Sequence, residues 1–389
     1  MPQHTLDKVS IDGFRGLRNL SLDGLGLINI LVGQNNSGKT SVLEAMSILC
    51  EPFNPYEWLS MVHRRDFGGL DESRVQSLRW SFQQHGELTD SEAMFEGACQ
   101  MGCSGSFPLR KLHAQYKDLL GEPDPNELKR AVNVRRFSGE RAKSAFEKGW
   151  RGAEITHFIQ ADPPPSQPTL FNDPNAAAIE PVSIQIWEGL PTHRRYVPER
   201  LRIESKTLTP YSYQINRLQV QNLTEDLLSV GRRAFTLNLA QQFDPQIEDI
   251  KIASIYGERP AIYLKHRKLG PAPLSIFGDA LRRAVLLAST IPTVSDGVLM
   301  IDEIETGIHI KALERVFAWL TNLARQMNVQ IFATTHSLEA VDAMLASVGD
   351  QIGDVVTYHL EQEQEQTLAK RIPGDVLKRL RFDRGIDVR

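Results

Sequence analysis

The sequence predicts an α/β fold, a mixed sheet with flanking helices, because three apolar runs each end in polar residues able to do chemistry. The first run, Leu27 to Val32, leads into GQNNSGKT at 33–40 and then into a helical pattern. The second, 298–301, is followed by Asp302, and the third, 329–333, is followed by TTHS. Short, continuously apolar runs indicate strands buried on both faces, as in a parallel sheet. Because ligands of open α/β sheets bind beyond the carboxyl ends of the strands, these polar stretches are expected to converge.

Composition sets wide limits on what the chain can be. Its 389 residues are 41% hydrophobic and 24% charged, enough for a sizeable core and for two or three domains. The formal net charge of −4 gives no global attraction to nucleic acid or to an acidic membrane. Three cysteines fit a reducing compartment, and the sequence shows neither a spanning apolar stretch nor a secretory signal. We therefore expect a cytoplasmic protein with no membrane partner.

The stretch GQNNSGKT lies between a predicted strand and a predicted helix. Alternating runs broken by glycine precede the strand and indicate antiparallel strands, whereas an apolar helical face begins near Val42. This is the context that a phosphate-binding G-x-x-x-x-G-K-[ST] loop requires, since backbone amides and a helix N-terminus surround the phosphates. The predicted ligands are Gly33, Asn35, Asn36, Ser37, Gly38, Lys39, Thr40 and Ser41. Lys39 would reach the β- and γ-phosphates, and Thr40 would hold Mg²⁺.

Two acidic residues follow the second apolar run. Asp302 stands where that strand would emerge, so it can share one Mg²⁺ with Thr40. Glu303 comes next and points elsewhere, which suits it to orient or deprotonate an attacking water. His336, at the end of the third strand, is predicted to sense the γ-phosphate.

Together these motifs resemble the ATP-binding-cassette ATPases, and within them the branch of SMC, RecF and OLD-type proteins. The resemblance implies a P-loop NTPase fold of the cassette head type, with ATP and Mg²⁺ as ligands. The segment FRGL at 14–17 is similar to the N-terminal strand of that branch, which makes Arg15 a nucleotide-contacting candidate.

The segment LSIFGDALRRAVLLA, 274–288, looks like the signature of those ATPases, which contacts the nucleotide of an opposite subunit. The resemblance makes Ser275, Gly278, Asp279 and Arg283 candidates and implies a homodimer paired through its ATPase heads. Many relatives have glycine where this chain has Ala280, and a left-handed alanine there would be strained.

The predicted organisation is an N-terminal ATPase lobe at 1–86, an inserted, mostly helical arm or lid at 87–240, and a C-terminal lobe at 241–389. The arm is expected to contain an exposed proline-rich loop at 162–168 and one or two helices over 212–242. Basic clusters at 129–136 and 193–202 are possible contacts for DNA or RNA, although helix faces also commonly carry solvated arginines.

The cysteines and a run of alternating glutamate and glutamine are two smaller features of the chain. Cys99 and Cys103 lack further ligands for a zinc site. The stretch EQEQEQ at 361–366 favours a polar hairpin tip.

The functional prediction is an ATPase whose change of shape controls a partner. The residues after His336 leave no room for the nuclease domain of full-length OLD-type proteins, so the likeness is to stand-alone ATPases. Several of these work beside a separately encoded nuclease or toxin in anti-phage defence. The alternatives are a RecF-type DNA repair ATPase, a transporter subunit, a GTPase, for which no N-K-x-D segment is found, and an ATP-binding scaffold with little turnover.

Overall fold

The structure is a computed structural model, and it describes residues 5–65, 74–84, 94–124, 150–162, 178–188, 190, 192, 198–215, 220, 232–254, 260–363 and 366–389. The strands are β1 (Lys8–Asp12), β2 (Leu20–Asp23), β3 (Ile28–Val32), β4 (Gln83–Gln84), β5 (Glu96–Ser104), β6 (Leu109–Gly121), β7 (Trp150–Ala161), β8 (Ala178–Trp187), β9 (Ser205–Leu208), β10 (Ile247–Ala253), β11 (Ala261–His266), β12 (Gly270–Pro273), β13 (Val298–Ile301), β14 (Gln330–Thr334), β15 (Val355–Glu363) and β16 (Gln366–Pro373). The helices are α1 (Lys39–Cys50), α2 (Pro55–Arg65), α3 (Arg74–Leu78), α4 (Arg232–Phe243), α5 (Asp279–Thr290), α6 (Ile310–Gln326), α7 (Leu338–Ser347) and α8 (Gly374–Lys378).

A mixed sheet carries the three apolar runs of the sequence. Its strand order is β16-β15-β3-β14-β13-β9, in which every neighbouring pair is parallel except β15 and β16. Every residue of β3, β13 and β14 is buried, as their continuous apolar runs predicted. The carboxyl ends of these three strands lie at one edge, so the sheet brings the three polar stretches together. The predicted α/β fold with a mixed sheet is confirmed.

An antiparallel sheet occupies much of the middle of the chain, where a mostly helical arm was expected. Strands β5 to β8 continue the β1–β2 pair in the order β2-β1-β5-β6-β7-β8, with β4 beside β5. In β6, Ala114 and Tyr116 are buried whereas Gln115 and Lys117 are exposed. One solvated face halves the apolar signal of each strand, so the helical character predicted for 87–240 is wrong for the described strands. The domain boundaries remain predictions.

Helix α1 lies between the mixed sheet and the antiparallel sheet. It contacts β9, β13 and β14 on one side and β5 on the other. Eleven of its twelve residues are consequently buried, Lys39 and Glu44 among them. The helix that follows the phosphate loop is therefore buried on nearly all sides.

A third, antiparallel sheet, β10-β11-β12, packs with α4 beside α5. Helix α4 accounts for the C-terminal part of the helices predicted over 212–242; the described residues before it include a short 3₁₀ turn, Ser212–Gln214. The hairpin predicted around 361–366 is formed by β15 and β16, where Glu363 pairs with Gln366.

Some sequence predictions lie outside the described residues. These are the basic cluster at 129–136, the first part of the second basic cluster, at 193–197, and the proline-rich loop from 163 onward. In the described remainder of the second cluster, Arg202 pairs with Glu51 and Glu204 at 3.1 Å each. Among the described residues, no helix is long and apolar enough to cross a membrane.

Candidate nucleotide site

The loop between β3 and α1 has the backbone that a phosphate cradle needs. Gly33 and Gly38 have φ values of +142° and +93°, which side chains other than glycine rarely adopt. A Cβ at Gly33 would lie 2.5 Å from the Leu360 carbonyl oxygen, and one at Gly38 would lie 2.6 Å from Leu17 Cδ2. Both glycines are therefore required by conformation and by space. At the loop tip, Asn35 and Asn36 are exposed.

The Lys39 ammonium binds to the backbone of this loop. Its Nζ donates to the carbonyl oxygens of Gly33 and Gln34, both at 2.8 Å, and lies 3.5 Å from Ser37 Oγ. Burial lowers the pKa of Lys39, and the carboxylates of Asp302 and Glu303 oppose that shift. The lysine predicted to bind phosphate and the two acidic residues therefore share one electrostatic environment.

Thr40 and Asp302 meet although 262 positions separate them. Thr40 Oγ1 lies 3.1 Å from Asp302 Oδ1 and 3.2 Å from Oδ2. Burial raises the pKa of Asp302, while hydrogen bonds from Thr334 and Thr40 act in the opposite direction. A hydroxyl and a carboxylate are hard oxygen donors of the kind that Mg²⁺ prefers, so this pair fits the predicted metal.

Thr334 is a third residue beside Thr40 and Asp302, and it was not among the predicted site residues. Its hydroxyl donates to Asp302 Oδ1 at 2.6 Å and accepts from the Glu303 backbone N–H at 2.8 Å. The register pairs Ile301 with Ala333, which places Thr334 directly beside Asp302. The available signal was a hydroxyl at the last residue of the strand next to the acidic strand.

Glu303 has an unusual backbone for a long side chain. Its φ is +47°, in the left-handed region that favours glycine. Its carboxylate Oε2 accepts from Thr306 Oγ1 at 2.9 Å, and its carbonyl accepts from the Thr306 N–H at 3.0 Å. Within the turn after β13, Thr306 thus holds both the carboxylate and the carbonyl of Glu303.

His336 is exposed at the end of β14. Its backbone N–H donates to Glu305 Oε1 at 3.1 Å, and its carbonyl accepts from Arg389 Nη1 at 3.2 Å. Ser337 caps helix α7 by accepting from the Ala340 N–H. The histidine is therefore fixed through its backbone, while its side chain faces solvent.

The predicted signature segment divides into an exposed part and a buried part. Ser275, Gly278 and Asp279 are exposed, at a short turn and at the start of α5. Ala280 lies within α5 and is not among the residues with positive φ, so the strain considered for it does not arise.

Arg283 requires a correction. It was predicted to contact nucleotide, but it is 0% exposed and its guanidinium donates to backbone carbonyls inside the protein. A side chain enclosed in this way is not placed to reach the nucleotide of another subunit.

Arg15, the weaker nucleotide candidate, also lies close to the loop helix. It has a φ of +51°, and its Nε lies 3.0 Å from Glu44 Oε2, one turn beyond Thr40 on α1. The ion pair is largely enclosed, with Glu44 3% exposed. The predicted nucleotide contact of Arg15 remains a prediction.

Two other features lie apart from this site. A cleft of about 420 Å³, lined in part by Thr5, Arg202 and Asp296, opens where β9, β13 and β14 begin, so it is at the opposite edge of the sheet. Cys99 and Cys103 are buried free thiols on the inner face of β5, and burial raises the pKa of both. No group of three or more metal-ligating side chains occurs within the described ranges.

Two known protein families match parts of this chain, and both are described as AAA domains. Residues 157–342 match the family described as "AAA domain, putative AbiEii toxin, Type IV TA system", and residues 5–92 match the family described as "AAA ATPase domain". Both matches are to AAA-type ATPase domains, and between them they take in the loop at 33–40 and the acidic strand end at Asp302. The predicted AAA-type ATPase and its P-loop NTPase fold are thereby confirmed.

Several individual proteins are similar to this chain. It is 21% identical over 385 residues to the ATP/GTP phosphatase of Helicobacter pylori, an alignment that covers 96% of the chain and 97% of that protein. It is 30% identical over 91 residues to the DNA replication and repair protein RecF of Teredinibacter turnerae, covering 22% of the chain and 24% of RecF. A solved SMC head bound to the C-terminal winged-helix domain of ScpA covers 95% of the chain at 11% identity, with a TM-score of 0.47.

Proposed function

We propose that this AAA-type ATPase binds ATP at the loop 33–40 and hydrolyses it in the presence of Mg²⁺. The observation that carries the proposal is the hydrogen bond between Thr40 and Asp302, because it joins the phosphate loop to the acidic strand end in one place. The loop amides and Lys39 would hold the phosphates. Thr40 and Asp302 would hold Mg²⁺, which neutralises charge that develops on the phosphate oxygens.

Glu303 and His336 are the proposed hydrolytic residues. Glu303 orients the attacking water or takes its proton, and its carboxylate is held ready by Thr306. His336 reaches the γ-phosphate from the end of β14, with its backbone fixed by Glu305 and Arg389. Positioning and electrostatic stabilisation of this kind are the main contributions that a protein makes to phosphoryl transfer.

A second copy of the chain is the proposed partner of the nucleotide-bound face. Ser275, Gly278 and Asp279 are exposed, as a surface that docks on another subunit requires. Pairing of two heads around ATP, and their release after hydrolysis, would convert turnover into a change of shape.

That change of shape is proposed to control a nucleic acid or a separately encoded nuclease or toxin in anti-phage defence. Support comes from the matched family, whose description names a toxin of a toxin–antitoxin system, and from the partial match to RecF, named for DNA replication and repair. A RecF-type role in DNA maintenance is the alternative that the second match favours. Recovery of a nuclease or toxin with the ATP-bound protein from native cells supports the first role, and DNA that stimulates turnover without such a protein supports the second.

The test of the catalytic proposal is phosphate release by the wild type and by Glu303→Gln, with ATP and GTP in separate arms. We expect ATP turnover by the wild type, its loss in EDTA, and ATP binding without turnover by Glu303→Gln. The GTP arm is included because the Helicobacter pylori relative is named for both nucleotides. If neither the wild type nor Glu303→Gln releases phosphate while both still bind ATP, the protein is an ATP-binding scaffold and the hydrolysis proposal is wrong.

A further inference from the structure

Arg283 is a buried cation directly behind the acidic strand end. It lies on α5, four residues after Asp279, and is 0% exposed. Its guanidinium donates to three backbone carbonyls from two other segments of the chain. These are the carbonyls of Thr209 at 2.8 Å, Asp302 at 3.4 Å and Glu303 at 3.5 Å.

The charge of Arg283 is retained despite this burial. Burial lowers the pKa of Arg283 to about 10, so the guanidinium is still protonated at neutral pH. The titratable groups that face it are Tyr213, Asp302, Glu303 and Glu305, and each favours the charged form. Burying a charge costs free energy unless hydrogen bonds or opposite charges compensate for it. An arginine that served only to fill space would not need to be charged.

The three carbonyls belong to the ends of the two strands that shape the acidic site. Thr209 follows β9, and Asp302 and Glu303 follow β13, which pairs with β9 in parallel. The Asp302 N–H donates to the Leu208 carbonyl at 2.8 Å. Arg283 therefore fastens the same strand ends from the side of α5.

Glu303 is the residue that most needs such support. Its left-handed φ of +47° costs free energy, and conformations of this kind persist where the surroundings determine them. The Glu303 N–H is held by Thr334, and its carbonyl faces both the Thr306 N–H and Arg283. Loss of Arg283 would free one side of this turn.

We infer that Arg283 is a positioning residue: it holds the backbone of Glu303 so that the carboxylate is aimed correctly for hydrolysis. The inference rests on the proposed ATP hydrolysis and adds a structural link to it. Because Arg283 and the exposed Asp279 lie one turn apart on α5, a subunit that docks on the signature segment moves the same helix that holds Glu303. Arg283 thus connects the docking face with the hydrolytic carboxylate.

The experiment compares Arg283→Met and Arg283→Lys with a matched control, Arg325→Met. Arg325 is a half-buried arginine of α6 that pairs with Asp354 at 2.6 Å, and it is outside the site. We expect Arg283→Met to lower kcat about tenfold or more while KM for ATP changes no more than about threefold. Arg325→Met keeps the wild-type kcat. A wild-type kcat in Arg283→Met overturns the inference.

Arg283→Lys adds a readout that a purely structural role would not change. A lysine keeps a cationic donor at this position and can still reach one of the carbonyls, whereas methionine cannot. We expect this variant to recover part of the kcat that Arg283→Met loses, with KM for ATP again within about threefold of the wild-type value. A kcat in Arg283→Lys as low as that of Arg283→Met would show that a donor at this position does not support Glu303.

Folding and the proposed function are separated by two further measurements. Should Arg283→Met fail to fold in thermal melts, Arg283→Lys decides alone: a lowered kcat with an unchanged KM supports the inference, and a wild-type kcat overturns it. Wild-type turnover together with an inactive Glu303→Gln and a fully active Arg283→Met removes the inference and leaves the function. A wild type without turnover removes both.

Discussion

The Thr334 hydroxyl is bonded to both acidic residues of the site, donating to Asp302 Oδ1 at 2.6 Å and accepting from the Glu303 N–H at 2.8 Å. One side chain on β14 therefore fixes the carboxylate proposed to hold Mg²⁺ and the backbone of the residue proposed to position water. Because both bonds use one hydroxyl, the two acidic residues cannot shift independently of β14.

Replacement of Thr334 by valine is expected to lower ATP turnover about tenfold. Valine keeps the shape but removes a hydrogen bond to a carboxylate, which is worth about 1.5 kcal/mol. Thr334→Ser, which keeps the hydroxyl, should retain most of the activity. Steady-state phosphate release measures both.

Thr357→Val is the matched control for Thr334→Val. Thr357 is also fully buried in the mixed sheet, on β15, but its hydroxyl has no hydrogen-bond partner among the described residues. Its replacement should leave turnover unchanged and raise the melting temperature, because an unsatisfied buried hydroxyl is removed. Equal losses of turnover in both valine variants would contradict a specific role of Thr334.

Glu303 is expected to lower the stability of the protein through its backbone conformation while its side chain is needed for activity. A left-handed non-glycine residue costs about 1 kcal/mol, which Glu303→Gln retains and Glu303→Gly relieves. Both variants should be inactive, and the glycine variant should be no less stable than the glutamine variant in urea unfolding. A glycine variant that is clearly the less stable of the two would show that the turn carries no strain.

The sequence predicted the central strands and the phosphate loop because their signals are local. The runs that became β3, β13 and β14 are apolar throughout, and the glycines of the loop stand at the positions where positive φ is needed. In a parallel sheet, equivalent strand ends lie side by side, so convergence of Thr40 and Asp302 also followed from the pattern.

The rest depended on packing between distant segments. Arg282 and Arg283 look alike in sequence, yet one pairs with the exposed Asp279 and the other lies inside the protein. The middle of the chain was assigned to helices because strands with one solvated face give a weak apolar pattern. Neither the inward turn of Arg283 nor the pairing of β5 with β1 is encoded by neighbouring residues.

Thr40→Ala is expected to raise the Mg²⁺ concentration for half-maximal turnover about tenfold. The variant removes one hard oxygen donor and leaves Asp302 without a hydrogen bond that it accepts in the wild type. Thr293→Ala, whose hydroxyl bonds the Thr290 carbonyl in a distant turn, is the control. Unchanged Mg²⁺ titrations in Thr40→Ala would place the metal elsewhere.

The raised pKa of Asp302 gives this titration a pH dependence. Metal binding requires the carboxylate form, and burial favours the protonated form. As the pH falls, the apparent Mg²⁺ affinity should therefore begin to weaken above the range of an ordinary aspartate. The effect should vanish in Asp302→Asn, whose Mg²⁺ binding is weak at every pH. Isothermal titration with Mg²⁺ at a fixed concentration of non-hydrolysable ATP analogue measures both proteins.

His157 predicts that the folded state loses stability on acidification. It lies on β7 against the rings of Phe53 and Trp58 and is 0% exposed, and burial lowers its pKa from about 6.5 to about 4. Below about pH 6.5 this histidine becomes protonated in the unfolded chain but stays neutral in the folded chain. Its contribution to the free energy of unfolding is therefore complete above that pH and is lost as the pH falls towards 4, by at most about 3 kcal/mol.

His157→Phe should remove this slope, so that its free energy of unfolding changes less than that of the wild type between pH 7 and pH 5. Phe53→Leu disturbs the same packing without removing a titratable group, so it should lower stability at both pH values and keep the slope. Urea unfolding of the three proteins at the two pH values makes the comparison. A wild-type slope in His157→Phe would assign the acid sensitivity to other groups.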